Sequence, residues 1–242
     1  MDRLLAPSPG LFTVTLILLG FSLVIMYLMY RKLTGPAFIA AIAMGGLIGW
    51  GGGPRALFLL YVFFALAVLA TSHKKQLKAN LSPDGKHPQE RTVGQVFANG
   101  GMAAIMGAFA IMDRPGHSLY ELMLSASLAS ALSDTWSSEL GMVYGRNFYN
   151  ILTFKKDQKG LDGVISREGF WLGVAGAAII ALLHGGFSKE SWVILVAGVT
   201  GNLADSLMGA SMERKHMIGN DMVNFLSTLA AALTGLVLYS YV

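Results

Sequence analysis

The sequence predicts an all-α integral membrane protein, a bundle of about eight transmembrane helices with short loops. Two features of the composition predict this class. Hydrophobic residues make up 54% of the 242 residues, whereas charged residues make up only 13%. These fractions lie outside the usual range of soluble globular domains. A third observation gives the number of helices, because apolar stretches of roughly 20 residues, the length that spans a bilayer, recur along the chain.

Eight stretches are long and apolar enough to be membrane spans. They cover residues 10–30, 36–52, 55–71, 93–112, 119–143, 168–185, 191–211 and 220–241. The second and third are separated only by three glycines and a proline, residues 51–54, which predict a very tight turn. The first is too long for the apolar part of a signal peptide, so we expect it to remain in the mature protein.

Basic residues are distributed unequally between the two sides that these spans define. Fourteen of the 18 lysines and arginines fall on one side. The positive-inside rule makes that side cytoplasmic, so both termini are expected outside. We therefore expect a multi-pass protein of a bacterial or archaeal cell membrane. The net charge of +4 follows from this topology and indicates no nucleic-acid partner.

Charged and amide side chains inside the spans mark a candidate site. An ionisable residue within a span is costly, which makes it a functional candidate. Four spans bring such residues to one depth, in the halves predicted to be cytoplasmic. The candidate catalytic residues are Asn99, Asp134, Glu139, Asn202, Asp205 and Asn224. Hydrogen bonding between helices is the structural alternative, and it is strongest for the asparagines.

A short internal repeat suggests how a metal ion is held. Residues 132–135 read LSDT and residues 203–206 read LADS, in two spans predicted to run in the same direction. The repeat sets two Asp-hydroxyl pairs at equal heights, a geometry suited to one or two Mg²⁺ ions. Because the chain contains no cysteine, a metal must be held by oxygen or imidazole ligands.

A basic loop follows the fifth span. Its candidate phosphate-binding residues are Lys155, Lys156, Lys159, Gly160, Gly163 and Ser166. Lysines beside a glycine-containing turn that opens a helix supply ammonium and backbone N–H donors to phosphate oxygens. Carboxylates facing such a loop favour phosphoryl transfer over transport. Topology explains these lysines equally well, and for Lys74, Lys75 and Lys78 we expect topology and headgroup contacts.

Four motifs carry a family resemblance. They are RTVGQVFANG from Arg91, SDTWSSELG from Ser133, GNLADSLMGA from Gly201 and NDMVNFLS from Asn220. In this order they resemble the multi-pass membrane family that includes plant phytyl-phosphate kinase and transmembrane protein 19. One departure is that residues 160–166 read GLDGVIS where the family usually has GTNGGVS.

The resemblance implies a membrane-embedded kinase that converts a prenyl (isoprenoid) monophosphate to the diphosphate. It would use Mg²⁺ and a nucleoside triphosphate, CTP or ATP, at the cytoplasmic leaflet of the lipid bilayer. The implied metal ligands are Asp134, Glu139, Asp205 and Asp221. The implied ligands of the nucleotide phosphates are Arg91, Lys155, Lys156, Lys159 and Arg214. We interpret residues 1–242 as a single polytopic membrane domain, with a three-helix part at 1–71 and a motif-bearing catalytic core at 85–235.

Two other functions use the same residues. A transporter or channel for a cation or a lipid-linked phosphate needs a polar lining in both leaflets, whereas the outer halves of the predicted spans are almost purely apolar. A CDP-lipid-type nucleotidyltransferase uses the same metal and carboxylates. Its products distinguish it from a kinase, because it releases pyrophosphate and a nucleotide-linked lipid.

Overall fold

The computed structural model describes residues 25–27, 30–79, 90–113 and 115–241. Most of the predicted first span lies outside this part of the chain. The described part is mostly helical, as the sequence predicts. Its helices are α1 Gly35–Ser72, α2 Lys75–Ala79, α3 Val93–Met112, α4 His117–Glu139, α5 Gly141–Tyr144, α6 Arg167–Gly185, α7 Lys189–Met208 and α8 Asn220–Tyr239. A π-helical turn, Gly209–Glu213, continues α7.

Five helical segments in the described ranges are long and apolar enough to cross a membrane. They are α1, α3, α6, α7 together with its π-helical turn, and α8. The chain is therefore a mostly helical membrane protein. The predicted count of eight spans is not confirmed and stays a prediction, as does the division into residues 1–71 and 85–235.

The long helix α1 consists of two halves that fold back on each other. Its backbone breaks at Gly53, whose φ of +73° lies in the left-handed region that favours glycine, and Pro54 follows. Across the break, a Cβ on Gly49 would lie 3.5 Å from the side chain of Leu57. The tight turn predicted at residues 51–54 is therefore present, between the second and third predicted spans.

Helix α4 lies at the centre of the bundle and packs against α1, α3, α6, α7 and α8. Its fully buried serines are Ser125, Ser127, Ser130 and Ser133. A side chain at Gly201 of α7 would collide with Ser130, so small residues on both helices permit their close approach. Because α4 is surrounded by protein rather than by lipid, it can carry more polar residues than the helices around it.

The prediction of an all-α fold is too simple in one place. Within the loop between α5 and α6, strands β1 (Phe148–Asn150) and β2 (Val164–Ser166) form a two-stranded antiparallel sheet in which Phe148 is opposite Ser166. The turn after β1 is closed by Asn150, whose side-chain oxygen accepts the backbone N–H groups of Leu152 and Thr153 at 2.9 and 3.1 Å. This hairpin forms part of the wall of the site described below.

A polar network joins α1, α4 and α6 at the opposite end of the bundle. Arg55 Nε donates to Glu121 Oε1 at 2.8 Å, and Arg55 Nη1 donates to the backbone oxygen of His184 at 2.9 Å. The Nδ1 atom of His184 lies 2.9 Å from Ser125 Oγ. These contacts tie three helices together, so the polar residues at this end have structural partners.

Candidate active site

A polar cavity of about 380 Å³ lies at one end of the bundle. Its wall is formed by the end of α1, the starts of α3 and α8, the ends of α4 and α7, the π-helical turn and the β-hairpin. Its acidic lining residues are Glu90, Asp134, Glu139, Asp162, Asp205 and Glu213. We call this site the polar cavity.

Asp134 of α4 and Asp205 of α7 meet in the polar cavity. Their carboxyl groups lie within hydrogen-bonding reach of each other, and Ser227 of α8 lies within reach of Asp205. The Oδ2 atom of Asp205 is buried and has no hydrogen-bond partner. Two carboxylates this close repel each other unless they share a proton or a cation. The two acids that the sequence singles out on separate spans therefore form one potential cation site.

Two further acids add negative charge to this pair. Glu213, at the end of the π-helical turn, acts electrostatically on both Asp134 and Asp205. Asp162, in the hairpin loop, acts on Glu213 in turn. Burial raises the pKa of Asp162, while the nearby positive charge of Arg214 opposes that rise. The cavity is therefore acidic on the sides of α7 and of the hairpin.

Glu139 also lines the polar cavity, but its charge is already paired. It forms an ion pair with Lys78 of α2, whose side chain is fully buried. Lys78 Nζ also donates to the backbone oxygens of Ala70 and Thr71, at 2.9 and 2.8 Å. The expectation that Lys78 contacts lipid headgroups is wrong, because this lysine caps the end of α1 inside the protein. Glu139 is consequently a weaker candidate metal ligand than Asp134 or Asp205.

Arg91 brings positive charge to the other side of the polar cavity. Its backbone N–H donates to Lys32 at 2.8 Å, and its backbone oxygen accepts from Thr34 at 3.1 Å, which fixes it beside the start of α1. Burial lowers the pKa of the Arg91 guanidinium, and the negative charge of Glu139 opposes that change. Arg91 is thus a partly desolvated cation, suited to a phosphate group.

Several predicted site residues line the polar cavity beside those already described. They are Asn99, Gly160, Gly163, Ser166 and Asn224. The φ angles of Gly160 and Gly163 are +87° and +68°, in the region that favours glycine. A side chain at Gly163 would collide with Ala210 in the π-helical turn. Ser166 Oγ accepts the backbone N–H of Gly169 at 3.0 Å and so caps α6.

The three predicted phosphate-binding lysines do not line the polar cavity. Lys155 and Lys156 are exposed, and backbone pairing of Lys156 with Tyr149 holds that stretch against β1. Lys159 Nζ lies 5.4 Å from the ring centre of Phe148, in a cation–π contact. The hairpin therefore directs these lysines away from the acids that the sequence placed opposite them.

Three other predicted residues are also absent from the cavity lining. Asn202 is buried between helices, where a Cβ on Gly173 of α6 would lie 2.6 Å from its Nδ2 atom. Arg214 Nε donates to the backbone oxygen of Asp162 at 2.6 Å, so Arg214 anchors the hairpin loop. Asp221 is exposed and lies against the start of α3. Each of the three has a structural contact, and its predicted role in the site stays a prediction.

No group of three His, Cys, Asp or Glu side chains in the described residues could by itself hold a metal ion. The predicted set of four acidic metal ligands is therefore not assembled. Asp134 and Asp205 alone form a close carboxylate pair. Glu213 and Asp162 line the polar cavity without having been predicted from the sequence. Asp162 could have been found from its position inside the glycine-containing loop, whereas nothing in the sequence indicates the π-helical turn that carries Glu213.

Comparisons with known proteins agree on one family. The family model described as integral membrane protein DUF92 matches residues 18–232. The uncharacterized membrane protein MJ0933 of Methanocaldococcus jannaschii is 34% identical over 212 residues, which cover 86% of this chain and 87% of the relative. No solved structure matches the chain significantly.

Two further relatives are less similar to this chain. Protein VTE6, chloroplastic, of Arabidopsis thaliana is 26% identical over 225 residues, which cover 89% of this chain and 68% of the relative. The uncharacterized membrane protein sll0875 of Synechocystis is 29% identical over 205 residues, which cover 82% of this chain and 78% of the relative. The similarity thus extends over most of the chain in each case.

Proposed function

The chain belongs to the DUF92 family of integral membrane proteins, and from that premise we propose that it is a prenyl-phosphate kinase. It transfers a phosphoryl group from a nucleoside triphosphate to a prenyl monophosphate and releases the diphosphate. The resemblance of its motifs to the phytyl-phosphate kinase family is confirmed by the family match and by the Arabidopsis relative. The substrate and the reaction are the proposal.

The close approach of Asp134 and Asp205 inside the polar cavity is the observation that carries this proposal. The charged groups acting on Asp205 are Asp134 and Glu213, both of them acidic. An acidic pair with one buried oxygen that lacks a hydrogen-bond partner fits a divalent cation. Mg²⁺ in phosphoryl-transfer sites takes one or two carboxylates and completes its shell with phosphate oxygens and water, so two protein ligands suffice.

Asp134 and Asp205 would hold Mg²⁺, with Glu213 as a further acid whose charge acts on both. When bound, the ion would neutralise the negative charges of the two substrates' phosphates, which otherwise repel each other, and would align the reacting oxygens. Asp134 and Asp205 come from α4 and α7, helices packed closely through small residues, so their separation is fixed by the core of the bundle.

Arg91 and the start of a helix are the groups that would bind the phosphate of the prenyl substrate. Arg91 borders the cavity, and α3 and α8 both begin there, with Asn99 and Asn224 in their second turns among its lining residues. Gly219, the residue that precedes α8, offers no side-chain cap, so the N–H groups of Asn220 and Asp221 receive no capping side chain and would be the donors to an anion. These groups would hold the phosphate head and orient it.

The attacking atom is a phosphate oxygen of the prenyl monophosphate. It forms a bond to the γ-phosphorus of the nucleotide while the bond to the bridging oxygen breaks and the nucleoside diphosphate leaves. That oxygen is ionised near neutral pH, so the protein needs no strong general base. The roles left to the side chains are positioning and charge neutralisation, which dominate phosphoryl transfer.

The hairpin loop, residues 160–166, is the candidate site for the nucleotide phosphates. Its glycines turn the backbone at the cavity wall, where N–H groups rather than lysine side chains would contact the phosphates. This differs from the sequence-based assignment to Lys155, Lys156 and Lys159. The choice between CTP and ATP, and the cytoplasmic orientation of the cavity, stay predictions.

Transport fits the geometry less well than catalysis does. The polar cavity lies at one end of the bundle, and the serines between it and the Arg55–Glu121 network are fully buried. Gly201 and Gly173 pack directly against two of these serines, Ser130 and Ser133. A permeation path would need open space along the buried serines of α4, whereas the helices there are in close contact.

Product analysis tests the proposal directly. Purified protein in detergent is incubated with Mg²⁺, CTP or ATP, and prenyl monophosphates of several lengths. We expect a prenyl diphosphate and a nucleoside diphosphate, with turnover reduced roughly hundredfold or more in Asp134→Asn and Asp205→Asn. Asp113→Asn is the matched control, because Asp113 is exposed at the far end of α3.

Other products identify the alternatives. Pyrophosphate together with a nucleotide-linked lipid would make the protein a nucleotidyltransferase. No consumption of either nucleotide with every prenyl phosphate would refute the kinase proposal and favour transport.

A further inference from the structure

A second cavity, lined almost entirely by apolar side chains, adjoins the polar cavity. Its volume is about 350 Å³, and it lies between the two halves of α1 and the start of α3. Met44, Gly46, Leu60 and Phe64 are among its lining residues. We call it the apolar groove.

The apolar groove and the polar cavity share part of their walls. Arg91, Gln95 and Asn99 line both. Gln95 and Asn99 are one turn apart on α3, and Arg91 lies two residues before that helix, so the three form a short polar border. A molecule that crosses this border would have one part among carboxylates and amides and the other among apolar side chains.

We propose that the apolar groove binds the hydrocarbon chain of the same single-chain phosphate whose head enters the polar cavity. The inference rests on the proposed function and adds where the tail lies and which residues select its length. Two observations favour this occupant. The groove is continuous with the cavity through the three shared residues, and the shared cation Arg91 complements an anionic phosphate head.

The geometry of α1 sets the depth of the groove. Its first half begins beside Arg91, since Thr34 N donates to Arg91 O, and it lines the groove as far as Gly46. Gly46 lies 11 residues beyond Gly35, the first residue of α1, so at 1.5 Å per residue it is roughly 17 Å along the helix from the end beside Arg91. If the phosphate head is held at Arg91, the hydrocarbon tail would therefore extend along α1 within the groove.

The groove contributes selectivity rather than hydrophobic free energy. Lipid tails are as apolar as leucine side chains, so moving a hydrocarbon chain from bilayer to groove gains little. What the protein walls add is a fixed shape, which discriminates tails by length and bulk. Gly46 is the informative position, because a Cβ added there meets nothing within 4 Å and would enter open space.

Filling the groove tests the length selection. Gly46→Leu is expected to raise KM for long-chain prenyl monophosphates about tenfold or more while leaving the shortest substrate unaffected. Ala43→Leu is the matched control, because Ala43 is exposed on the same helix and does not line the groove. Equal effects of both variants, or equal effects of Gly46→Leu on all lengths, would overturn the assignment.

Photolabelling tests the location without depending on turnover. A prenyl monophosphate with a diazirine in its tail is bound to the full-length protein in detergent and crosslinked, with unlabelled prenyl monophosphate as competitor. We expect saturable labelling in residues 41–46 and 57–64, lost in Gly46→Leu and kept in Ala43→Leu.

The outcomes separate this inference from the proposed kinase activity. Labelling elsewhere, or labelling that the competitor does not reduce, would overturn the groove assignment, because bulk lipid or another part of the chain then occupies the groove. If turnover is normal in that case, the kinase proposal stands. Saturable labelling in the groove without phosphorylation by any nucleotide would support the binding site and refute the kinase proposal.

Discussion

The buried ammonium group of Lys78 pairs with the carboxylate of Glu139 at the wall of the polar cavity. The same group donates to two backbone oxygens in the last turn of α1, those of Ala70 and Thr71. One cation therefore joins α2, α4 and the end of α1. Its positive charge lies at the C-terminal end of α1, where the helix macrodipole is negative, so this interaction also stabilises the helix.

Removing this cation should destabilise the protein. Lys78→Met leaves Glu139 without its partner and two carbonyls without a donor, so we expect a loss of about 3 kcal/mol or more. Thermal unfolding in detergent measures the change, with Lys75→Met, on the same helix, as control. A Lys78→Met variant as stable as Lys75→Met would contradict the role of the pair, and Lys78→Met with Glu139→Gln should recover part of the loss.

Some of the site could be predicted because of the cost of charge in a membrane. Asp134 and Asp205 stand out in apolar stretches, and counting residues from the span ends gives both the same depth. The break at Gly53 could be predicted because glycine next to proline ends a helix locally. Both features depend on nearby residues alone.

Other parts of the site depend on contacts between distant residues. Lys78 looks like a topology marker in sequence, whereas its contacts with Glu139 and with the last turn of α1 hold it inside the protein. Glu213 reaches the polar cavity because it lies on a π-helical turn. Residue spacing predicts which side chains share a helix face only for a regular α-helix, so it does not predict this position. Lys156 lies outside the cavity lining, on a stretch whose backbone pairs with Tyr149 of β1, a contact that the charge pattern alone does not reveal.

The contact between the hairpin and the π-helical turn should depend on Gly163. Gly163→Ala places a side chain at a positive φ and against Ala210, so we expect at least about 1 kcal/mol of destabilisation and a loss of turnover. Gly35→Ala is the control, since a Cβ there meets nothing within 4 Å. Thermal unfolding and the kinase assay measure the two effects. A Gly163→Ala variant with the melting temperature and turnover of the control would contradict this role of Gly163.

The Arg55–Glu121 pair should affect stability without affecting the site. Because the Arg55 side chain is 51% exposed and that of Glu121 only 10%, Glu121→Gln is expected to cost about 1 kcal/mol. Turnover per folded molecule should not change, since both residues lie at the far end of the bundle. A selective fall in turnover, with the melting temperature unchanged, would show that this end contributes to function.

The hairpin should be anchored in a pH-dependent way through Asp157. The backbone N–H of Gln158 and the side chain of Arg214 both lower the pKa of Asp157 below its ordinary value of 3.8. A carboxyl group whose pKa falls on folding stabilises the protein above its unfolded pKa, and that stabilisation is lost as pH drops through the folded value.

Amide hydrogen exchange of residues 148–166, corrected for its intrinsic pH dependence, should therefore be constant from neutral pH to about pH 5 and rise below pH 4 or so. Asp157→Asn should show faster exchange already at neutral pH and no such step. The same step in Asp157→Asn would assign it to another group.

Binding of Mn²⁺ in place of Mg²⁺, followed by electron paramagnetic resonance, tests the central claim that Asp134 and Asp205 hold one divalent cation. With a prenyl monophosphate present, the wild type and Asp113→Asn are predicted to bind Mn²⁺ saturably, and Asp134→Asn and Asp205→Asn to lose that binding. Unchanged Mn²⁺ binding in both cavity variants would contradict the claim.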